Sequence, residues 1–115
     1  MKIIELFRST NTVEGNKMLK GNFNELTWWS DNYETIEHYY DGSIIKIQVT
    51  LDKLKKQDYI VEYDDFYDPS NYTYGYAIME YPKDAIWYSF SKKYLEENIR
   101  SIEEIDLKDL KSIFN

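Results

Sequence analysis

The stretch from residue 26 to residue 51 does most to limit what this chain can fold into, because strand, helix, turn and strand signals follow one another without a gap. Residues 26–30 (Leu-Thr-Trp-Trp-Ser) form a short run that reads as a strand. Asp31 or Asn32 then offers a side-chain oxygen to the free amides of a helix, with Glu34 and Glu37 near its positive end. Ile36, Tyr39 and Tyr40 recur at i, i+3 and i+4, which gathers them on one side of that helix. Asp41-Gly42 stops it. Residues 43–51 follow as a strand rich in β-branched side chains.

The flanks continue the alternation. Residues 2–7 predict a first strand, ended by Ser9-Thr10-Asn11-Thr12. Residues 16–24 predict a polar, glycine-punctuated loop around Met18 and Leu19. Residues 51–56 read as a basic bend, 58–63 as a strand, and 64–71 as a loop around Pro69-Ser70-Asn71. Residues 74–81 fit a strand or a short helix, closed by Tyr81-Pro82 because the residue before proline avoids helical geometry. A strand over 85–90, a helical turn over 92–97 and a last strand over 99–105 follow. Leu107, Leu110, Ile113 and Phe114 then predict a short amphipathic helix. The expectation is one α+β domain over residues 1–115, with roughly five to seven short strands and two or three short helices.

Composition narrows the chemistry. Without cysteine there is neither a disulfide framework nor a thiolate metal site, and His38 alone cannot build a multi-histidine metal centre. No metal is expected. The N-terminus carries Glu5 and has no long apolar run, and no stretch reaches membrane-spanning length, so the cytoplasm is the expected address. Residues 1–57 hold eight acids and eight Lys/Arg, whereas residues 58–115 hold thirteen acids and six Lys/Arg, the whole net charge of −7. A surface that acidic repels phosphate backbones and argues against direct nucleic-acid binding. It suits either a solvated surface or a mimic of nucleic acid seated in another protein's basic groove. Tyr63, Asp64, Asp65, Tyr67, Asp68, Tyr72 and Tyr74 interleave rings with charge and are the candidate partner-binding residues of that second kind.

In order, several of these elements resemble the ADP-ribosyltransferase family. The resemblance is carried by Leu6-Phe7-Arg8-Ser9 at the end of the first strand, Trp28-Trp29-Ser30 at the end of the second, the helix through Tyr39-Tyr40, the strand over 43–51, and the pair over 84–90 and 99–102. It implies a small split sheet of short strands, NAD as the cofactor, and a protein target modified by a phage or bacterial effector. It further implies that Arg8 holds the dinucleotide and that Ser30 with Trp28 or Trp29 shapes the nicotinamide pocket. A carboxylate from Asp84 or Glu80 would stabilise the ribosyl cation. These residue types suit that chemistry: a guanidinium forks onto a pyrophosphate, and a carboxylate stabilises positive charge developing on a ribose. The chain departs from the family in offering aspartate where a glutamate is expected, and in Asp31 where a second hydroxyl would follow Ser30.

Each of these residues also has a plainer role open to it. Arg8 at a strand end can simply pair with a surface acid, and Ser30 can cap the helix that follows. Trp28 and Trp29 point to opposite faces of a strand, so one belongs in the core. Asp84 and Glu80 can be solvated loop acids. The rival functional expectation is a non-catalytic acidic inhibitor, of the anti-restriction or anti-CRISPR type, covering a basic groove on a host nucleic-acid-processing enzyme.

Overall fold

A computed structural model describes residues 2–56, 76–81 and 85–105. Among these residues the elements are β1 (Lys2–Thr10), α1 (Thr12–Leu19), β2 (Leu26–Ser30), α2 (Tyr33–His38), β3 (Ser43–Leu51), β4 (Tyr76–Tyr81), β5 (Ala85–Ser91), α3 (Lys92–Asn98) and β6 (Ile99–Glu104), with a 3-10 turn at Lys53–Lys55. The class is α+β, as the alternation of periods requires. The six strands join in one sheet of order β4-β5-β2-β1-β3-β6, with neighbouring strands antiparallel.

Nearly every side chain of β3 is buried, a pattern that needs cover on both faces of the strand. Register shows where that cover comes from. Leu6 opposes Ile47 and Trp29 opposes Tyr88, so these side chains share one face with Ile45, Val49 and Phe90. Met18 of α1 and Tyr94 and Leu95 of α3 pack on them and complete the principal core. Phe7 and Ile44 point the other way, where α2 lies against β1 and Tyr33 meets Phe7 edge-on. Helices thus lie on both faces around β1 and β2.

Tyr94 locks α3 to the far end of β3. Its hydroxyl donates to the Thr50 carbonyl at 2.6 Å and accepts the Asp52 amide at 3.0 Å, while its ring stacks on Phe90. Ser91 caps the same helix through the Tyr94 amide.

Two expectations need correction. Residues 12–19 form a helix where a loop was expected over 16–24. Asn11 caps this helix by accepting the Glu14 amide, and Gly15 lets it approach β1 and β3 closely. Ser9 and Thr10 do not end β1 but pair with Ile44 and Ser43, because cross-strand pairing outweighs their preference for turns. The ambiguous stretch before Pro82 is a strand over Tyr76–Tyr81. The expected strand at 58–63, the loop at 64–71 and the helix at 107–114 lie outside the described residues.

Candidate functional site

β1 matches β3 along its whole length, and β2 matches β5 along its whole length. Between β1 and β2 the ladder is a single pair, Phe7 opposite Ser30. The sheet therefore consists of two well-zipped halves, β6-β3-β1 and β2-β5-β4, meeting at a short seam. On one side of the pair β2 ends. On the other side no further backbone pair joins the two strands, and the Arg8 guanidinium spans them instead by donating from Nη1 to the Trp28 carbonyl at 3.1 Å.

Arg8 is held on a second edge as well. Its Nη2 and Nε both donate to Glu14 Oε1, at 2.8 and 3.3 Å, and Asn24 Nδ2 adds a third donor to that same oxygen at 3.1 Å. The Arg8 and Glu14 side chains are each 21% exposed, so the pair sits at the surface and not in the core. A guanidinium carries five N–H groups, of which three are engaged among the described residues.

The neighbouring site residues divide between the faces of the sheet. Ser30 shares its face with Phe7, whereas Arg8 alternates to the face that carries Leu6. The Ser30 side chain is fully buried, and its hydroxyl accepts the Asn32 amide, which shapes the entry into α2. Of the two tryptophans, Trp29 is the core residue, fully buried with its indole N–H donated to Thr27 Oγ1 at 2.7 Å. Trp28 is half-buried on the opposite face. The expected opposition of these two rings is therefore observed.

Aromatic rings surround Ser30 on the α2 face. Tyr33 meets Phe7 edge-on at 5.5 Å, and Tyr39 meets Trp87, the residue opposite Ser30 in β5, at 6.4 Å. The Tyr33 hydroxyl is buried and has no hydrogen-bond partner among the described residues. Burial, and secondarily the charge of Glu37, raises its pKa above the ordinary tyrosine value. Tyr39 is 65% exposed, so the cluster opens to solvent at the C-terminal end of α2.

Glu80 lies in β4 opposite Ile86, separated from β1 by two strands, β5 and β2. Asp84 lies outside the described residues, as do Tyr63, Asp64, Asp65, Tyr67, Asp68, Tyr72 and Tyr74. The structure thus brings Arg8, Trp28 and Ser30 to one seam. Glu14 and Asn24 beside Arg8, and Tyr33, Tyr39 and Trp87 beside Ser30, are not among the residues expected from the sequence. One signal for Glu14 was present: Asn11 and Glu14 have the spacing of a helix-capping pair, which also announces α1.

Among the described residues, no group of three His, Cys, Asp or Glu side chains could hold a metal ion, and no helix is long and apolar enough to cross a membrane. No family model, no curated protein and no solved structure matches this chain.

Proposed function

We propose that this protein is an ADP-ribosyltransferase-like effector that binds NAD at the β1–β2 seam and transfers ADP-ribose to a protein target. The observation that supports this most is the meeting of Arg8, from the end of β1, with the Trp28-Trp29-Ser30 end of β2 where the sheet is least zipped. A guanidinium at a partly exposed seam suits a pyrophosphate, which its Nε–Nη2 edge can fork onto in place of Glu14. In this reading Arg8 orients the dinucleotide, while Trp28, whose ring lies on the opposite face of the sheet, holds the guanidinium in place through its carbonyl. Buried Ser30 sets the geometry of the strand end. Asp84 or Glu80 stabilises positive charge as the nicotinamide–ribose bond breaks and the target side chain takes the ribosyl carbon.

Calorimetric titration with NAD, with nicotinamide release followed in the same samples, tests the reading. Saturable binding that is lost in Arg8→Ala is the expected result, with slow nicotinamide release as the sign of catalysis. Unchanged affinity in Arg8→Ala, or no heat at millimolar NAD, would overturn it.

One sequence observation favours a second reading. All net negative charge lies in residues 58–115, interleaved with tyrosines, which suits an inhibitor that covers a basic groove on a nucleic-acid-processing enzyme. That binding should weaken steeply with salt, and salt-insensitive association would exclude charge mimicry.

A further inference from the structure

We infer that Glu14 is an internal competitor for the anion-binding edge of Arg8, a carboxylate that a phosphate must displace before the seam can hold a ligand. The inference rests on the NAD reading above and names how that site is controlled.

What matters is which edge of the guanidinium is engaged. A planar guanidinium presents its Nε–Nη2 edge as a fork that takes a phosphate or carboxylate with two parallel hydrogen bonds. In this protein both donors of that edge converge on one Glu14 oxygen. A phosphate oxygen and Glu14 cannot occupy the edge together. The opposite corner, Nη1, is tied to the Trp28 carbonyl and would keep Arg8 aimed across the seam once Glu14 leaves.

The way Glu14 is mounted fits a side chain that can swing while its helix stays. Its backbone amide is fixed by Asn11, so the first turn of α1 does not depend on where the carboxylate points. Glutamate at this position of a capping pair commonly reaches back to the cap residue's own amide, which gives the carboxylate an alternative resting place one turn away. In the described structure it reaches across to Arg8 instead, helped by Asn24. Both side chains are accessible enough for an incoming anion to meet them. A partly exposed ion pair of this kind is worth about 1 kcal/mol, so removing the competing charge should tighten anion binding roughly fivefold.

The experiment is a parallel titration of NAD and of inorganic pyrophosphate into wild type, Glu14→Gln, Asn24→Ala and Arg8→Ala, with thermal melts of each. Glu14→Gln keeps the side-chain shape and an accepting oxygen, so it should fold as wild type does. The inference predicts about fivefold tighter pyrophosphate and NAD binding in Glu14→Gln, a smaller gain in Asn24→Ala, and loss of both ligands in Arg8→Ala. Equal affinity in wild type and Glu14→Gln, with NAD still bound through Arg8, would overturn the competitor and leave the NAD reading standing. Weaker binding in a folded Glu14→Gln would also overturn it, making Glu14 a buttress for Arg8. Pyrophosphate binding that tightens in Glu14→Gln without any NAD binding would uphold the competing edge and overturn the NAD reading.

Discussion

Removing one hydroxyl, in Tyr94→Phe, tests the packing argument at its tightest point. The ring would stay where it is, because its contacts with Phe90 at 5.5 Å and Tyr76 at 5.2 Å need no oxygen. What disappears is a donor to the Thr50 carbonyl and an acceptor for the Asp52 amide. Tyr94 and Thr50 are 0% and 4% exposed, so water cannot readily replace the lost donor at Thr50, whereas Asp52 is half-buried and recovers part of its loss from solvent. An orphaned buried polar group costs about 1–3 kcal/mol, and the partly hydrated one less, so the sum should be about 2 kcal/mol. At about 2.1 cal/mol/K per residue, a chain of 115 residues unfolds with an entropy near 0.24 kcal/mol/K, so Tm should fall by about 8 °C. Thermal unfolding followed by far-UV circular dichroism reads this directly. A fall of less than about 2 °C would mean that the hydroxyl does not carry the α3–β3 junction.

Two further outcomes follow from the same structure. Gly15→Ala should destabilise by about 1–3 kcal/mol, because a Cβ there would lie 2.9 Å from both Ser43 side-chain atoms and 3.0 Å from Thr10 Oγ1, and urea unfolding should show a lower midpoint at an unchanged slope. Stability should decline above about pH 10. Burial raises the pKa values of Tyr33, Tyr76 and Tyr88, and a hydrogen bond to Glu103 raises that of Lys46, so the folded state retains protons that the unfolded chain has begun to release. The contribution is complete below the unfolded values and is lost as pH rises through the folded ones. A Tm that stays flat from pH 9 to about pH 11 would contradict it.

Where local preference and tertiary demand agree, the elements could be read from the chain. Residues 26–30 and 43–51 are strands in the structure at the expected bounds, because strand-forming side chains there are also the ones that the core buries. Asn32 caps α2 as one of the two expected candidates, accepting the Thr35 amide. Helix α1 escaped because Met18 and Leu19 alone supply little apolar period. The helix depends instead on the Asn11 cap and on a glycine that lets it close on β1 and β3. Of the site, Arg8 and Ser30 were legible as residue types at strand ends. Glu14 as the partner of Arg8 was not, since that contact depends on how α1 lies against β1.

By itself the sequence determined the class, most strand positions, the opposed tryptophans and the identity of the strand-end residues, because these follow from alternation, capping chemistry and side-chain type within a few neighbouring positions. Only the tertiary structure decided that β1 and β2 are neighbours joined at one pair, that Arg8 and Ser30 point to opposite faces there, and that a carboxylate from α1 closes on the guanidinium. Strand order and register are set by which apolar faces must be buried together across the whole chain, and a shift of one residue would exchange the faces of Arg8 and Ser30 entirely.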